Sequence, residues 1–350
     1  MKKLVLIFAL LFINLTIFSQ TIRRVNNTPG LNDPAVYATA QDAHDAAVAG
    51  DIIQLEPSND DNYGDLKVSK KISIIGIGYD LANTPNTFFD KRTPKLGNVY
   101  FENESANSSI MGVEVSSYIY VYDMNISITR CKIYYVYLNQ SSTILNGTFP
   151  KATKVNISQN LIASTIYCSG EDVGYNCNIS NNIFKGGGYV YGFKNSVINN
   201  NVFATSSPVL YDAKGCVFSN NIIDARNASS TYKAINTDVT GTTVSNNLCT
   251  SVAGLPTGAG NVNSATAASV FKVTNPWAVS PFVDSNVELS ATSPAKTVGV
   301  GSTAIGAFAG GTPYIPSGVP NTPVITTYIN TGSGNSTTPL TVTISVRSSN

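Results

Sequence analysis

Along the middle of the chain a six-residue pattern returns six times, with an apolar residue at each end and a polar pair between. The copies are Ile128-Thr-Arg-Cys-Lys-Ile133, Ile157-Ser-Gln-Asn-Leu-Ile162, Ile179-Ser-Asn-Asn-Ile-Phe184, Ile198-Asn-Asn-Asn-Val-Phe203, Phe218-Ser-Asn-Asn-Ile-Ile223 and Val244-Ser-Asn-Asn-Leu-Cys249. They begin 29, 22, 19, 20 and 26 residues apart, a period too short for most helical repeats and suited to one coil of a β-solenoid. The pattern predicts two short strands meeting at a tight corner, the end residues pointing into a core and the polar pair making the turn. Asn suits such a corner because it tolerates the left-handed backbone region and its amide can bond the backbone. The fourth position holds Asn160, Asn182, Asn201, Asn221 and Asn247, with Cys131 the exception. Stacked strands lie about 4.8 Å apart, so these amides are expected to hydrogen-bond from coil to coil as a structural ladder.

A further strand between the corners carries tyrosine at alternate positions. Alternation places Ile119 and Val121 inside and Tyr118, Tyr120 and Tyr122 outside; later coils add Tyr135 and Tyr137, Tyr167, Tyr189 and Tyr191, and Tyr211. In register these nine rings form a stripe along one face. Exposed aromatic faces stack on sugar rings, and the phenol adds a hydroxyl for a hydroxylated ligand. The same pattern also arises if tyrosine merely serves the sheet, where rings stack on one another.

Asn-Asn corners at this period resemble those of right-handed parallel β-helix proteins with the pectin-lyase-like fold. Two flanking segments add to the likeness. Ala40-Gln-Asp-Ala-His-Asp-Ala-Ala-Val-Ala-Gly-Asp-Ile-Ile-Gln-Leu55 is similar to that family's capping helix and first strand. Asn275-Pro276, Pro281-Phe-Val-Asp284, Leu289, Ser293-Pro-Ala295 and Ile305-Gly-Ala-Phe308 resemble the closing segment of its secreted bacterial members. The resemblance covers roughly residues 35 to 314. It implies an all-β, right-handed parallel β-helix of roughly ten or eleven coils, about 50 Å long, with an N-terminal capping helix and a short C-terminal β tail. Chemistry stays open, because this fold carries lyases, hydrolases, epimerases, adhesins and phage-tail proteins.

The ends of the chain have their own signals. Lys2-Lys3, the apolar run from Leu4 to Phe18, and Ser19-Gln20 read as a secretory signal peptide over residues 1–20, so the mature protein is expected outside the cytoplasm, secreted or at the cell surface. No later stretch is long and apolar enough to span a bilayer, and membrane insertion of the mature protein is not expected. Thr39 to Gly50 reads as one helix covering the open end of the solenoid of residues 21–314. His44, the single histidine, reads there as a solvated helix residue rather than a general base. Residues 80–97 read as a loop leaving the coils, and residues 315–350 as a Pro-rich linker and hairpin that packs on the solenoid or on a partner.

Charge narrows the partners. Charged residues make up 12% of the chain and the formal net charge is +1, against about 25% charged residues in ordinary soluble domains. Nothing draws such a chain to nucleic acid or an anionic membrane, and the same neutrality argues against a strongly polyanionic substrate such as pectate unless a metal supplies positive charge. The partner expected from the tyrosine stripe is a polysaccharide or cell-surface glycan. Five cysteines at positions that keep their sulfurs apart are expected as buried free thiols. One His and no Cys-x-x-Cys argue against zinc, and Gly186-Gly-Gly188 lacks the Asp of calcium-binding repeats, so no metal and no cofactor is expected.

Catalysis would need paired carboxyl groups or clustered acids beside a Lys or Arg base. Glu171, Asp172, Lys194, Asp212 and Lys214 fall at equivalent corners of three successive coils and are the candidates. They read first as an exposed ladder of alternating charge. Three functions therefore stand at this level: a non-catalytic glycan or surface binder using the tyrosine stripe, a polysaccharide lyase or glycoside hydrolase using the charged edge, and a purely structural surface protein.

Overall fold

The computed structural model describes residues 20–57, 62–83, 89–139, 151–226, 231–335 and 337–347. Apart from Gln20, the expected signal peptide lies outside them. The described residues are mostly strands in two long parallel sheets, with few helices.

Eleven strands form the first sheet. Beyond Val36–Tyr37 at its edge they follow chain order, from Ile22–Val25 to Thr243–Ser245. The first apolar positions of the repeat stack in direct register, Ile128 on Ile157, Ile179, Ile198, Phe218 and Val244. The last positions do the same in a second, thirteen-stranded sheet, where Ile133 is followed by Ile162, Phe184, Phe203, Ile223 and Cys249. Two eight-residue strands, Glu114–Val121 and Lys132–Asn139, span the full width of this second sheet. Later repeats break the same path into two short strands, such as Leu161–Ile162 and Ile166–Ser169.

Both columns point into one core, in which Phe184 and Phe203 stack with ring centroids 4.4 Å apart. The expected amide ladder is present. Asn160, Asn182, Asn201, Asn221 and Asn247 are fully buried, and each donates from Nδ2 to the next Oδ1 at 3.0–3.1 Å, the last to Asn261. Cys131 starts the column by donating its backbone N–H to Oδ1 of Asn160 at 2.9 Å.

The third position does different work. Arg130, Gln159, Asn181, Asn200, Asn220 and Asn246 all have φ between 53° and 60°, the left-handed turn that Asn adopts most readily. The side chains of four of them, Arg130, Gln159, Asn181 and Asn246, hold a returning segment of chain. Asn246 donates to the Val298 carbonyl at 2.9 Å, Asn181 to the carbonyls of Ala307 and Ala309 at 2.9 and 2.7 Å, Gln159 to Pro313, and Arg130 to Val319 at 3.1 Å. Chain order thus runs backwards along the repeats. At the far end Gly318, with φ 59°, lies so close to the Arg130 carbonyl and the Tyr79 ring that a side chain has no room.

This returning segment covers the outer side of the second sheet. Leu161, Ile183, Val202, Ile222 and Leu248, the fifth positions of the repeat, form a second apolar cluster with Phe271, Trp277, Val287, Ile305 and Tyr314. Tyr314 also bonds the buried Tyr79 hydroxyl and donates to Asp284 at 2.9 Å.

The N-terminal helix, Ala40–Ala46, is capped by the Thr39 hydroxyl, which accepts from the Asp42 N–H at 3.1 Å. It ends earlier than expected because Ala47 turns extended. His44 departs from its sequence reading: it is 2% exposed, its Nε2 accepts the Ser69 N–H at 3.1 Å, and Nδ1 therefore donates to Asp45 at 3.0 Å. Residues 80–97 also contain structure, since Lys95–Leu96 pairs with Glu114–Val115. The C-terminal hairpin joins Val324–Asn330 to Val342–Arg347, and Phe89 packs on its Tyr328 at 5.4 Å. Among the described residues no helix is long and apolar enough to cross a membrane.

Candidate functional site: a row of stacked tyrosines

Alternation within the second sheet puts Val99, Ile119, Val136, Ile166, Val190 and Leu210 in the core. The residue after each of them is a tyrosine, and these pair across strands in direct register: Tyr100, Tyr120, Tyr137, Tyr167, Tyr191 and Tyr211. Neighbouring ring centroids along the row are 5.0, 6.0, 5.0, 4.5 and 6.5 Å apart. Two pairs, Tyr100–Tyr120 and Tyr167–Tyr191, stack nearly parallel, at 4° and 6°.

A second, shorter line flanks the row. Tyr118 pairs with Tyr135 at 5.7 Å, Tyr135 lies 5.7 Å from Tyr137, and Tyr189 meets Tyr211 edge-on at 4.9 Å. A register shift between Ile133 and Tyr135 turns two consecutive residues outward, so Tyr134 also joins, edge-on to Tyr118, with 49% of its surface exposed. Tyr122 differs from expectation: it is only 6% exposed, stacked on Tyr120, and burial pushes its hydroxyl up to about 12. It supports the row without presenting a surface.

Ring orientation changes what the row can do. Tyr100 with Tyr120 and Tyr167 with Tyr191 stack face to face and cover one another's faces, while the other neighbours in the row meet tilted by 33° to 38°. The stacked pairs offer a ligand ring edges and hydroxyls rather than open faces. Burial raises the pKa of Tyr120, Tyr135, Tyr167 and Tyr211, so all remain neutral donors and acceptors at physiological pH. The surface is a row of phenol hydroxyls, one per strand, on rings whose centroids lie 4.5 to 6.5 Å apart.

Sequence reasoning missed Tyr100 and Tyr134. Val99-Tyr-Phe101 has the same in-out-in pattern as Ile119-Tyr-Val121 and would have disclosed the first. Tyr134 follows from a local register shift that alternation cannot show.

The charged candidates lie on one rim. Lys194 and Lys214 occupy neighbouring bridge positions in line with Tyr175. Their partners are local: Asp172 bonds Lys151, Asp212 meets Lys214 at 3.0 Å, and Lys194 lies over the Tyr175 ring at 5.2 Å. Glu171 is exposed. The Lys151 hydrogen bond holds Asp172 below the usual carboxylate range, the reverse of what a general acid requires. Among the described residues no three His, Cys, Asp or Glu side chains are grouped to hold a metal ion. No protein-family model, no curated protein and no solved structure matches the chain.

Proposed function

We propose that the chain is an exported right-handed parallel β-helix, similar in fold to the pectin-lyase-like proteins, and that it binds glycan or a glycan-coated surface without catalysis. The sheet order supports the fold: the chain visits two parallel sheets in turn, and parallel crossovers are right-handed in about 98% of cases. One observation carries the function. Six tyrosines in consecutive register present one phenol per strand, with neighbouring ring centroids 4.5 to 6.5 Å apart, comparable to the advance of one sugar in an extended polysaccharide. Contact is made by phenol hydroxyls and ring edges, with Tyr134 supplying the most open ring.

A glycan array probed with the purified protein tests the reading. Tyr191→Ala and Tyr134→Ala should each weaken retention about tenfold, the loss of one or two hydrogen bonds, with melting little changed. Replacing Glu171, Asp172 and Asp212 by amides should leave binding intact. Release of cleaved saccharide by the wild type, abolished in Asp212→Asn, would replace the binder with an enzyme acting at the charged rim. Absence of both binding and cleavage would leave the row as sheet packing in a structural surface protein.

A further inference from the structure

We infer that a second site, a cleft on the outer side of the second sheet, binds a small organic carboxylate, with Lys185 holding the carboxylate and Leu161, Ala163 and Pro281 receiving its carbon chain. The cleft, about 250 Å³, opens where Pro281 and Phe282 of the returning segment face Lys132, Lys185 and the turn containing Asp80 and Asn83. None of the row's tyrosines lines it.

The charges within it are unevenly paired. Lys132 is neutralised by Asp80 at 2.9 Å and by Glu114 at 3.4 Å. Lys185 has no carboxylate within ion-pairing distance among the described residues; its ammonium lies 4.5 Å over the face of Phe282, whose other neighbour is Trp277 at 5.7 Å. Burial, and then the nearby Lys132, pull the Lys185 pKa below the ordinary lysine value, with Asp80 opposing them only in part. A half-buried cation without a carboxylate of its own is stabilised by an anion that reaches it. Asn83 adds an amide that can donate to the same carboxylate. The remaining walls are apolar, and the volume falls below the roughly 300 to 1,000 Å³ of drug-sized pockets. A short-chain acid satisfies both features, whereas its neutral amide gains nothing from Lys185.

Titration calorimetry of the full chain with hexanoate, and with hexanamide as its neutral twin, tests the site. Hexanoate should bind in the millimolar range or better, and hexanamide at least about tenfold more weakly. Lys185→Met should lose about the same factor, Lys185→Arg should retain binding, and Tyr191→Ala should change nothing. Ala163→Glu keeps Lys185 but places a carboxylate beside it, since the Lys185 N–H bonds the Ile162 carbonyl at 2.9 Å on the adjacent strand. That variant should abolish hexanoate binding while raising the melting temperature. Equal affinity for the two probes, undiminished binding by a folded Lys185→Met, or no hexanoate binding by the wild type would each overturn the proposal.

Discussion

The side-chain amide of Asn201 donates to Oδ1 of Asn221 at 3.0 Å, and the same oxygen accepts the Asn201 backbone N–H at 2.9 Å. Oδ1 of Asn201 in turn receives both N–H groups of Asn182 at 3.0 Å. Removing this amide leaves the buried Asn182 backbone N–H without its acceptor and takes the Nδ2 donor from Asn221 Oδ1 and from the Ile179 carbonyl. Asn201→Ala should cost about 1 to 3 kcal/mol, measured by urea unfolding. The same change at Asn261, where the ladder ends beside partly buried groups, should cost less. Equal midpoints for wild type and Asn201→Ala would show that water replaces the amide.

Asn181 combines a left-handed backbone with two bonds to the returning segment. Asn181→Gly keeps the backbone and loses the bonds, about 1 to 2 kcal/mol; Asn181→Ala loses the bonds and adds about 1 kcal/mol of backbone strain. The expected order in melting temperature is wild type, then Gly, then Ala. Limited proteolysis should cut both variants faster within residues 298–321. A Gly variant less stable than Ala would show that the left-handed corner places no strain on a side chain there.

All five cysteines are free and buried. Burial pushes the thiols of Cys131, Cys168 and Cys177 up to about 12 and Cys249 up to about 11, so at pH 8 almost none is thiolate. A thiol reagent should leave the native protein unmodified and label five positions once it is unfolded. Rapid labelling of Cys216 alone, whose thiol burial also raises, would mean that its repeat opens locally.

Asp284 is 4% exposed, and burial raises its pKa despite the Ser317 N–H at 2.7 Å and the Tyr314 hydroxyl. A folded-state pKa above the unfolded value means that the native protein takes up this proton first. Its stabilising contribution is complete below the unfolded pKa of about 3.9 and is lost as pH rises through the folded value. At neutral pH the buried carboxylate therefore opposes folding. Asp284→Asn keeps an acceptor for both donors and should raise the urea midpoint at pH 7 more than at pH 4. A fall at pH 7 that is absent at pH 4 would show that the negative charge itself is needed.

The sheets and the ladder were legible because each depends on contacts one repeat away, and the repeat displays those contacts in its own spacing. Division of labour within Asn181-Asn182 was not, since the two residues are chemically identical and differ only in backbone conformation and in what lies outside. The fifth position carried an unread clue: Leu161, Ile183, Val202, Ile222 and Leu248 are apolar beside an inward apolar sixth position, which signals a strand buried on both faces. Lys132 breaks that column, and there the cleft begins. Ring orientation in the tyrosine row was beyond the sequence, because alternation gives a side of the sheet but not a side-chain torsion. His44 was misjudged for a similar reason: its acceptor role depends on Ser69, 25 residues away.

The returning segment alters how a stack of repeats can melt. Strands that touch only their neighbours can fray from either end, one after another. Here Tyr79 is bonded to Tyr314 across 235 residues and Arg130 to Val319 across 189, while Asn246 and Asn181 hold intermediate points. Loss of any one repeat loosens a tether shared by all the others, so the array is driven toward a single all-or-none transition and its ends are denied independent breathing.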